Sequence, residues 1–579
     1  MHPSFKRALE WEIEAQRLEE DERYRTPIVE LIDAGAASGP FEVNYHADKR
    51  KAYLSPLRDA DASFLNVRDE VFIVSRTGEL WTNDDGTPAK GEVENIYQGK
   101  VIVKSINPLN PSTVVFLCKG GSVRDGCRAS IEKGEKQGIP AWPSLSCFPP
   151  HKTPIDKIPE KYLDLYTGSS IEAFLWATGG NDVHIIKGPP GSGKSHLLGS
   201  ICSYFAQERK FKVLITSKSH LAVNEVLQNT YDAMSRLGLS FPIYRWISEK
   251  AKQDYLATPL SHVVPLLKPI AKNNNLPDVF IMGAVMDSAF YAPDWCKFDV
   301  IIVDEAGQLP MFFVQGLARL GNSFIFSGDE DQLPPILAAE HVKEDVGNGQ
   351  TLVLEPALSP LEWFPRYRGK EWLTLLDRTQ RLNTEACALI SHTYYQDKLK
   401  PALNADSCIV GGNGALFKIQ AGNPFCVTSN EEEADTIVRL VQKILKMDIV
   451  MDRQLPRPLL PADIAILTPY NKQVKLLKQK FKTAGIPVSK IGTVDIMQGQ
   501  SRAVVIFGLT TSDAQTLAER AEWHMIPNRW NVALSRAKCA TFLVGRFDEF
   551  ANVQPVTLTG HRYLEKAKSV IAAMKPYTI

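Results

Sequence analysis

The sequence predicts an α/β protein: two tandem domains on parallel sheets, preceded by an N-terminal helix and a small β-barrel. Three observations carry this. Continuous apolar runs at Val183–Ile186, Val213–Thr216, Val300–Val303 and Phe324–Phe326 alternate with helical patterns, as parallel strands covered on both faces require. A second such set, with Ile464–Leu467, Val504–Phe507 and Phe542–Val544, begins after about Leu373. Between Gly39 and Gly121 the pattern is instead short β-branched runs, Val71–Val74, Val101–Val103 and Val114–Leu117, broken by turn signals at Asp84-Asp85-Gly86 and Asn107-Pro108.

The elements follow in order. Residues 1–38 read as one amphipathic helical stalk carrying Ile13, Leu18, Ile28 and Leu31 among many charges. Its acidic run, Glu19 to Glu22, is most simply a solvated face, and hypothetically the docking site of a protein partner. Residues 39–121 form the barrel, and 122–160 a Pro-rich linker, densest from Pro140 to Pro159. Residues 161–372 and 373–579 are the two α/β domains. In the second, Ser429-x-x-Glu432 is a capping-box signature ahead of Ile437, Val438, Val441 and Ile444.

Composition excludes more than it assigns. The 66 basic and 66 acidic residues cancel, so any track for a polyanion must be local. Nine cysteines without a CxxC pair argue against a zinc site or a disulfide framework, and fit a reducing compartment. No apolar run approaches the ~20 residues of a membrane span. The charged N-terminus lacks a signal-peptide core. A cytoplasmic protein, or a nuclear one in a eukaryote, is expected.

Gly188, Pro189, Pro190, Gly191, Ser192, Gly193, Lys194 and Ser195 spell G-x-x-x-x-G-K-S between an apolar strand and a helix. Glycines let successive backbone N–H groups and the helix N-terminus face phosphates. Lys194 adds charge at the β/γ oxygens, and the Ser195 hydroxyl is placed to ligate Mg²⁺. The strand Val300–Val303 delivers Asp304 to the metal side, and Glu305 to polarise the attacking water as general base. The cofactors expected are therefore ATP, or another nucleoside triphosphate, and Mg²⁺.

From Gly188 onward the chain resembles the superfamily 1B helicases, the group of the nonsense-mediated-decay RNA helicase and senataxin. The strings GPPGSGKS, VLITSKSHLAVNEV, VDEAGQ, GDEDQLPP, TQRL, TPYNKQ, TVDIMQGQ and NRWNVALSRAK stand in that family's order from about Leu165 to Phe547. The resemblance implies two RecA-like motor domains, a largely monomeric core, and 5′→3′ movement on single-stranded DNA or RNA. It implies γ-phosphate sensing by Gln308 and Gln332, and phosphate-binding arginines Arg381 and Arg536 reaching over from the second domain. It implies strand-phosphate contacts at Ser219, Thr468 and Thr493. The same motifs would also serve a nucleotide-driven clamp or switch that does not unwind.

Departures cluster on the base and sugar side. Ser170 stands where relatives carry a glutamine, Gln380 where they carry the aromatic that stacks on the base, and Ser501 where they carry a glutamate. Weak discrimination among nucleoside triphosphates is therefore expected. Lys218 replaces a proline and is either a solvent-facing lysine or one more strand contact. His196, on the first turn after the phosphate loop, borders the nucleotide-contacting set, though packing or capping is its simpler role. His184 reads as a core histidine. Trp372, Trp523 and Trp530 could stack on bases, but packing is the simpler reading for each. Lys49, Arg50, Lys51, Lys100 and Lys104 give the barrel enough local charge to touch a strand.

Overall fold

The computed structural model describes residues 8–16, 18, 37–46, 51–57, 70–75, 90–97, 100–105, 114–119, 124–137, 150–247, 252–267, 276–293, 296–335, 343–345, 351–353, 358–402, 409–410, 415–446, 448–450, 457–488, 490–497 and 499–579. The acidic run 19–22, the stalk residues Ile28 and Leu31, Lys49, Arg50, both barrel turn signals and the Pro-rich segment 140–149 lie outside the described residues.

The chain forms two compact units. One contains Met1–Ala141 with Ile247–His262 and Leu337–Leu354; the other contains Trp142–Trp246, Val263–Ile336 and Glu355–Ile579.

In the first unit, residues 8–16 are helical and bury Ala8, Leu9 and Ile13. Six antiparallel strands close a barrel: β1 (Ala37–His46), β2 (Lys51–Pro56), β3 (Glu70–Ser75), β4 (Lys90–Tyr97), β5 (Lys100–Ser105) and β6 (Val114–Lys119), in the order β1-β2-β5-β4-β3-β6. Alternate residues point inward, Phe41 with Val43, Ala52 with Leu54, Val71 with Ile73 and Val101 with Val103. That period of two is what the short apolar runs encode. Within the stretch expected to be linker, Arg124–Lys136 is instead a helix that buries Cys127 and Ile131. Its apolar residues four apart share a face, so a core stripe outweighs the proline content further on.

The second unit holds two parallel sheets. The first comprises β7 (Val183–Lys187), β8 (Val213–Ser217), β9 (Ile243–Trp246), β10 (Ile281–Val285), β11 (Val300–Val303), β12 (Phe324–Gly328) and β13 (Leu373–Leu375), in the order β13-β7-β12-β11-β8-β10-β9. β13 pairs in parallel with β7, so Leu373–Leu375 completes the first sheet rather than opening the second domain. The second sheet comprises β14 (Leu416–Gln420), β15 (Ile464–Leu467), β16 (Lys490–Gly492), β17 (Arg502–Gly508), β18 (Ala537–Gly545) and β19 (Lys575–Pro576), in the order β16-β15-β17-β18-β14-β19. Strands β7, β8, β10, β11, β12 and β15 are buried along most or all of their length, as the continuous apolar runs require.

Two local expectations change. The helix Glu431–Ile444 is capped by Asn430, whose side chain accepts from the Glu433 amide, one residue later than the Ser429 box. Asparagine is at least as good a cap as serine, and it is the residue that sits at the helix boundary. Cys539 on β18 is disulfide-bonded, whereas Cys127, Cys202, Cys296, Cys387 and Cys426 are free. A wholly reduced set of thiols is therefore not what this fold presents.

Candidate nucleotide site and strand face

Parallel strands end on one edge of a sheet, and the connections leaving that edge build the site. The loop after β7 is fixed to the end of β12 by the Gly188 amide, which donates to the Gly328 carbonyl at 2.9 Å. A Cβ at Gly188 would overlap the stem of Lys194, whose ammonium donates to the Gly188 carbonyl at 2.5 Å. Gly191 has φ +72°, and a side chain there would run into Thr379 and Arg381. That crowding has a cause. The Thr379 hydroxyl donates to the Pro190 carbonyl at 2.7 Å, and the Gln380 amide donates to the Gly191 carbonyl at 2.8 Å. The TQRL segment thus lies directly on the phosphate loop. Gln380 contributes its backbone, and its exposed side chain leaves the base side without an aromatic platform at this position.

β11 delivers Asp304, only 3% exposed, with Glu305 beside it at φ +54°. A left-handed conformation at a glutamate is strained and persists where the surroundings hold it. The Gln308 amide donates to Glu305 Oε2 at 3.1 Å, so the sensor and base positions are already coupled. Burial and the neighbouring Glu305 push the Asp304 carboxyl upward, a bias that a cation would reverse. Asp304, Glu305 and Gln308 line a cavity of about 510 Å³ together with Lys218, Ser219 and Glu225.

The second domain closes the ring. Arg381 and Arg536 act on each other and on Glu225 and Glu305. Burial, followed by the Arg536 charge, lowers the Arg381 guanidinium to about 9. Arg536, itself 3% exposed, donates to Gln332 Oε1 at 2.5 Å. Gln332 in turn donates to Asp329 Oδ2 at 2.9 Å, and the Tyr395 hydroxyl donates to the same oxygen at 2.6 Å. Asn531 donates to Tyr395 and to the Asp331 carbonyl, each at 2.8 Å, and Asn528 reaches the Gln332 carbonyl. GDEDQLPP is therefore laced to the second domain by buried polar contacts. Lys187 neutralises its remaining acids, at 2.5 Å from Glu330 and 2.7 Å from Asp331.

Among the described residues, the buried polar atoms without a partner include Asp304 Oδ1, Ser192 Oγ and Arg536 Nε at this site. Buried polar groups are normally paired. A carboxylate oxygen, a hydroxyl and a guanidinium N–H are the chemistry that a polyphosphate with a divalent cation would satisfy. Ser195 and Asp304 are the residues that would hold Mg²⁺.

The expected strand contacts fare unequally. Ser219 is exposed and caps the helix His220–Leu237, its oxygen accepting from the Ala222 amide at 3.1 Å. Lys218 is exposed beside it on the cavity, and Thr493 is half-buried. Thr468 is fully buried, and its hydroxyl is engaged with Thr510 Oγ1 at 2.6 Å. Behind it the Glu433 carboxylate, pushed up to about 8 by burial, accepts from the Thr510 amide at 2.7 Å. In this conformation the Thr468 side chain is turned inward, away from the surface on which a strand contact was expected.

His184 is buried on β7, stacked on Trp176 and hydrogen-bonded to Thr374; burial lowers it to about 3. His196 lies edge-on to Tyr166, 3.1 Å from Arg236, with burial its main downward influence. Packing, the simpler of the roles expected of it, is what these contacts describe. Trp530 and Trp372 are core residues. Trp523 is 39% exposed, with the Arg529 guanidinium 4.6 Å from its ring centre. Sequence reasoning missed Glu225, Asp329, Tyr395 and Asn531. All four owe their place to contacts made across the fold; the AVNEV string holding Glu225 was visible, but no spacing rule marks it.

Known proteins show the following similarities to this chain. Residues 363–548 match a family model described as an AAA domain. Residues 185–329 match the helicase domain of the RNA cytidine acetyltransferase NAT10/TcmA. The DNA replication ATP-dependent helicase/nuclease dna2 of Schizosaccharomyces pombe is 26% identical over 389 residues, covering 62% of this chain and 26% of that protein. The DNA polymerase alpha-associated DNA helicase A of the same yeast is 24% identical over 425 residues, covering 63% of this chain and 61% of that protein. The crystal structure of the arterivirus nonstructural protein 10 helicase aligns at 13% identity and a TM-score of 0.37, covering 90% of this chain and 81% of that one. The chain spans about a quarter to a third of the length of the curated relatives it first matches. Several of the relatives it matches are named as ATP-dependent helicases.

Proposed function

We propose that this chain, whose motor core is of the superfamily 1 helicase type, couples nucleoside-triphosphate hydrolysis to 5′→3′ movement along single-stranded DNA or RNA. The observation that carries the reading is the path from Glu305 through Arg536 and Gln332 to Asp329, Tyr395 and Asn531, which crosses from one α/β domain to the other. In it, a group poised at the γ-phosphate is bonded to the element that relatives use beside the strand. Bound Mg²⁺ would neutralise the phosphate charge; the residues supply everything else. Lys194 and the loop amides hold the β- and γ-phosphates. Glu305 draws a proton from the attacking water, and Arg381 and Arg536 stabilise charge on the transferred group. Because Arg536 belongs to the second domain, hydrolysis depends on closure. If grip on the strand differs between open and closed states, the cycle yields a step. Contacts to phosphates carry no sequence information, so such a motor runs over any sequence.

Hydrolysis measured with and without single-stranded DNA or RNA, using Glu305→Gln as the blank, tests this. Strong stimulation by one polymer and unwinding of a 5′-tailed duplex are expected. Turnover indifferent to both polymers would replace the motor with a clamp.

The base side leads to a second expectation. With Ser170, Gln380 and Ser501 in place of the relatives' base-reading groups, kcat/KM for ATP, GTP, CTP and UTP should agree within about tenfold, a span of ~1.4 kcal/mol. A preference for ATP of several hundredfold would show that another group reads adenine.

A further inference from the structure

Arg245, 0% exposed, is a buried cation that the nucleotide chemistry leaves unused. It lies on β9, the last strand of the first sheet. Its backbone is pinned by a flanking segment: the Arg245 amide donates to the Pro265 carbonyl and the Leu267 amide to the Arg245 carbonyl, each at 2.9 Å. Its side chain reaches the helix His220–Leu237. Nε donates to Asn224 Oδ1 at 2.9 Å and Nη2 to His220 Nδ1 at 2.8 Å. Nη1 serves the carbonyls of Trp246 at 2.6 Å and Gly283 at 3.0 Å. A buried charge is tolerated when its hydrogen bonds are made, and these four go to groups without negative charge.

The bonds to the helix settle two orientations. A guanidinium has donors only, so His220 Nδ1 must accept and carries no proton. The imidazole is therefore neutral, with its one N–H at Nε2. In the same way Asn224 spends Oδ1 on Arg245, and its NH₂ group turns away. His220 and Asn224 stand four residues apart, so they share one face of the helix. Two side chains that could each donate or accept are left as donors. Both are half-buried, and Lys218 and Ser219 beside them are exposed, with Ser219 capping the same helix. A phosphate oxygen only accepts, whereas base edges present donors and acceptors alike, so donors fixed in advance suit a strand's backbone.

We propose that Arg245 is a positioning residue for the strand: it takes up the acceptor atoms of His220 and Asn224, so that His220 meets a strand phosphate as an uncharged Nε2–H donor beside Ser219. The proposal rests on the strand reading above and deepens it. A hydrogen bond from a neutral imidazole adds grip without releasing a counterion, so it strengthens binding and leaves the salt dependence as it was. An imidazolium would change both.

The experiment titrates fluorescent oligothymidylate and oligouridylate with the full chain at several KCl concentrations and reads anisotropy. His220→Ala should weaken binding by about tenfold, as for a hydrogen bond to a charged group, with the slope of log K against log[KCl] unchanged. His220→Gln, which puts an amide N–H near the place of Nε2, should recover part of the loss. Arg245→Met should weaken binding by a similar factor. Adding it to His220→Ala should cost little more, because the two residues act as a unit. Should Arg245→Met fail to fold, the two His220 variants decide, since that side chain is only half-buried and melting curves check their fold. His220→Ala affinity within twofold of wild type would overturn the proposal. So would a loss accompanied by a slope shallower by about 0.7, the mark of a cation removed from a single strand. Full affinity in a folded Arg245→Met would remove the positioning role. Wild type that bound neither polymer would overturn the proposal together with the strand reading, whereas an inert His220→Ala beside a wild type that binds overturns the proposal alone.

Discussion

Glu305→Gln should lower steady-state hydrolysis by about 10²–10⁴-fold, the usual worth of a positioned general base, while nucleotide affinity stays within a few-fold of wild type. The substitution keeps the shape of the side chain and removes the charge that accepts the proton. The Gln308 amide now donates to Glu305 Oε2, and the carbonyl oxygen of a glutamine can still receive it. The strained backbone at φ +54° should therefore survive. The effect would fall on kcat and spare binding, because the group acts on the water and the Lys194 loop holds the phosphates. Phosphate release and titration with a fluorescent nucleotide measure the two quantities side by side. Turnover within tenfold of wild type would move the base elsewhere, and Glu225 would be the carboxylate to examine next.

Arg536→Ala should cost about 10³-fold or more in kcat, in the range found for arginines that stabilise a transferring phosphoryl group. This side chain does two things. It is buried beside Glu305 and Arg381, with Nε unpartnered, and it holds Gln332 through Nη2. Removing it leaves the Gln332 side chain bonded only through its amide to Asp329, and Asp329 to Tyr395. Basal turnover and its stimulation by a strand should consequently fall together. Arg536→Lys should rescue little, since an ammonium cannot reach Gln332 and a phosphate oxygen with a rigid fork. Single-turnover hydrolysis at saturating nucleotide separates this from a binding defect. Retention of strand stimulation in Arg536→Ala would show that Gln332 reports to the strand without the arginine.

Much of this architecture was legible because its signals are local. The apolar runs at Val183 and Val300 could be placed because a strand buried on both faces admits few polar residues. The loop from Gly188 to Ser195 could be read because cradling phosphates demands glycines at fixed spacing. What stayed hidden depends on partners far away in sequence. Thr468 matches a strand-contact position, yet Thr510 and Glu433 claim the space behind it and draw its hydroxyl inward. Leu373–Leu375 follows the last obvious element of the first domain, and only pairing with β7 reveals where it belongs. Ser429 and Asn430 are both good caps, and the choice between them is made by the Asn423 and Thr510 carbonyls, which accept the Asn430 amide hydrogens. Tyr395 and Asn531 carry no phosphate motif, and they matter because helices from different parts of the chain bring them to Asp329.

The clasp between Thr379, Gln380 and the loop at Pro190 and Gly191 makes the two arginines unequal in kind. Arg381 stems from a segment stitched backbone to backbone onto the nucleotide's own cradle, like a page sewn into the spine of a book. Arg536 belongs to the far cover, bonded through side chains alone. If the two domains open and close during turnover, Arg381 would keep its distance from the loop while Arg536 travelled with the second domain. One would then serve as a standing part of the grip, and the other as the hand on the clock.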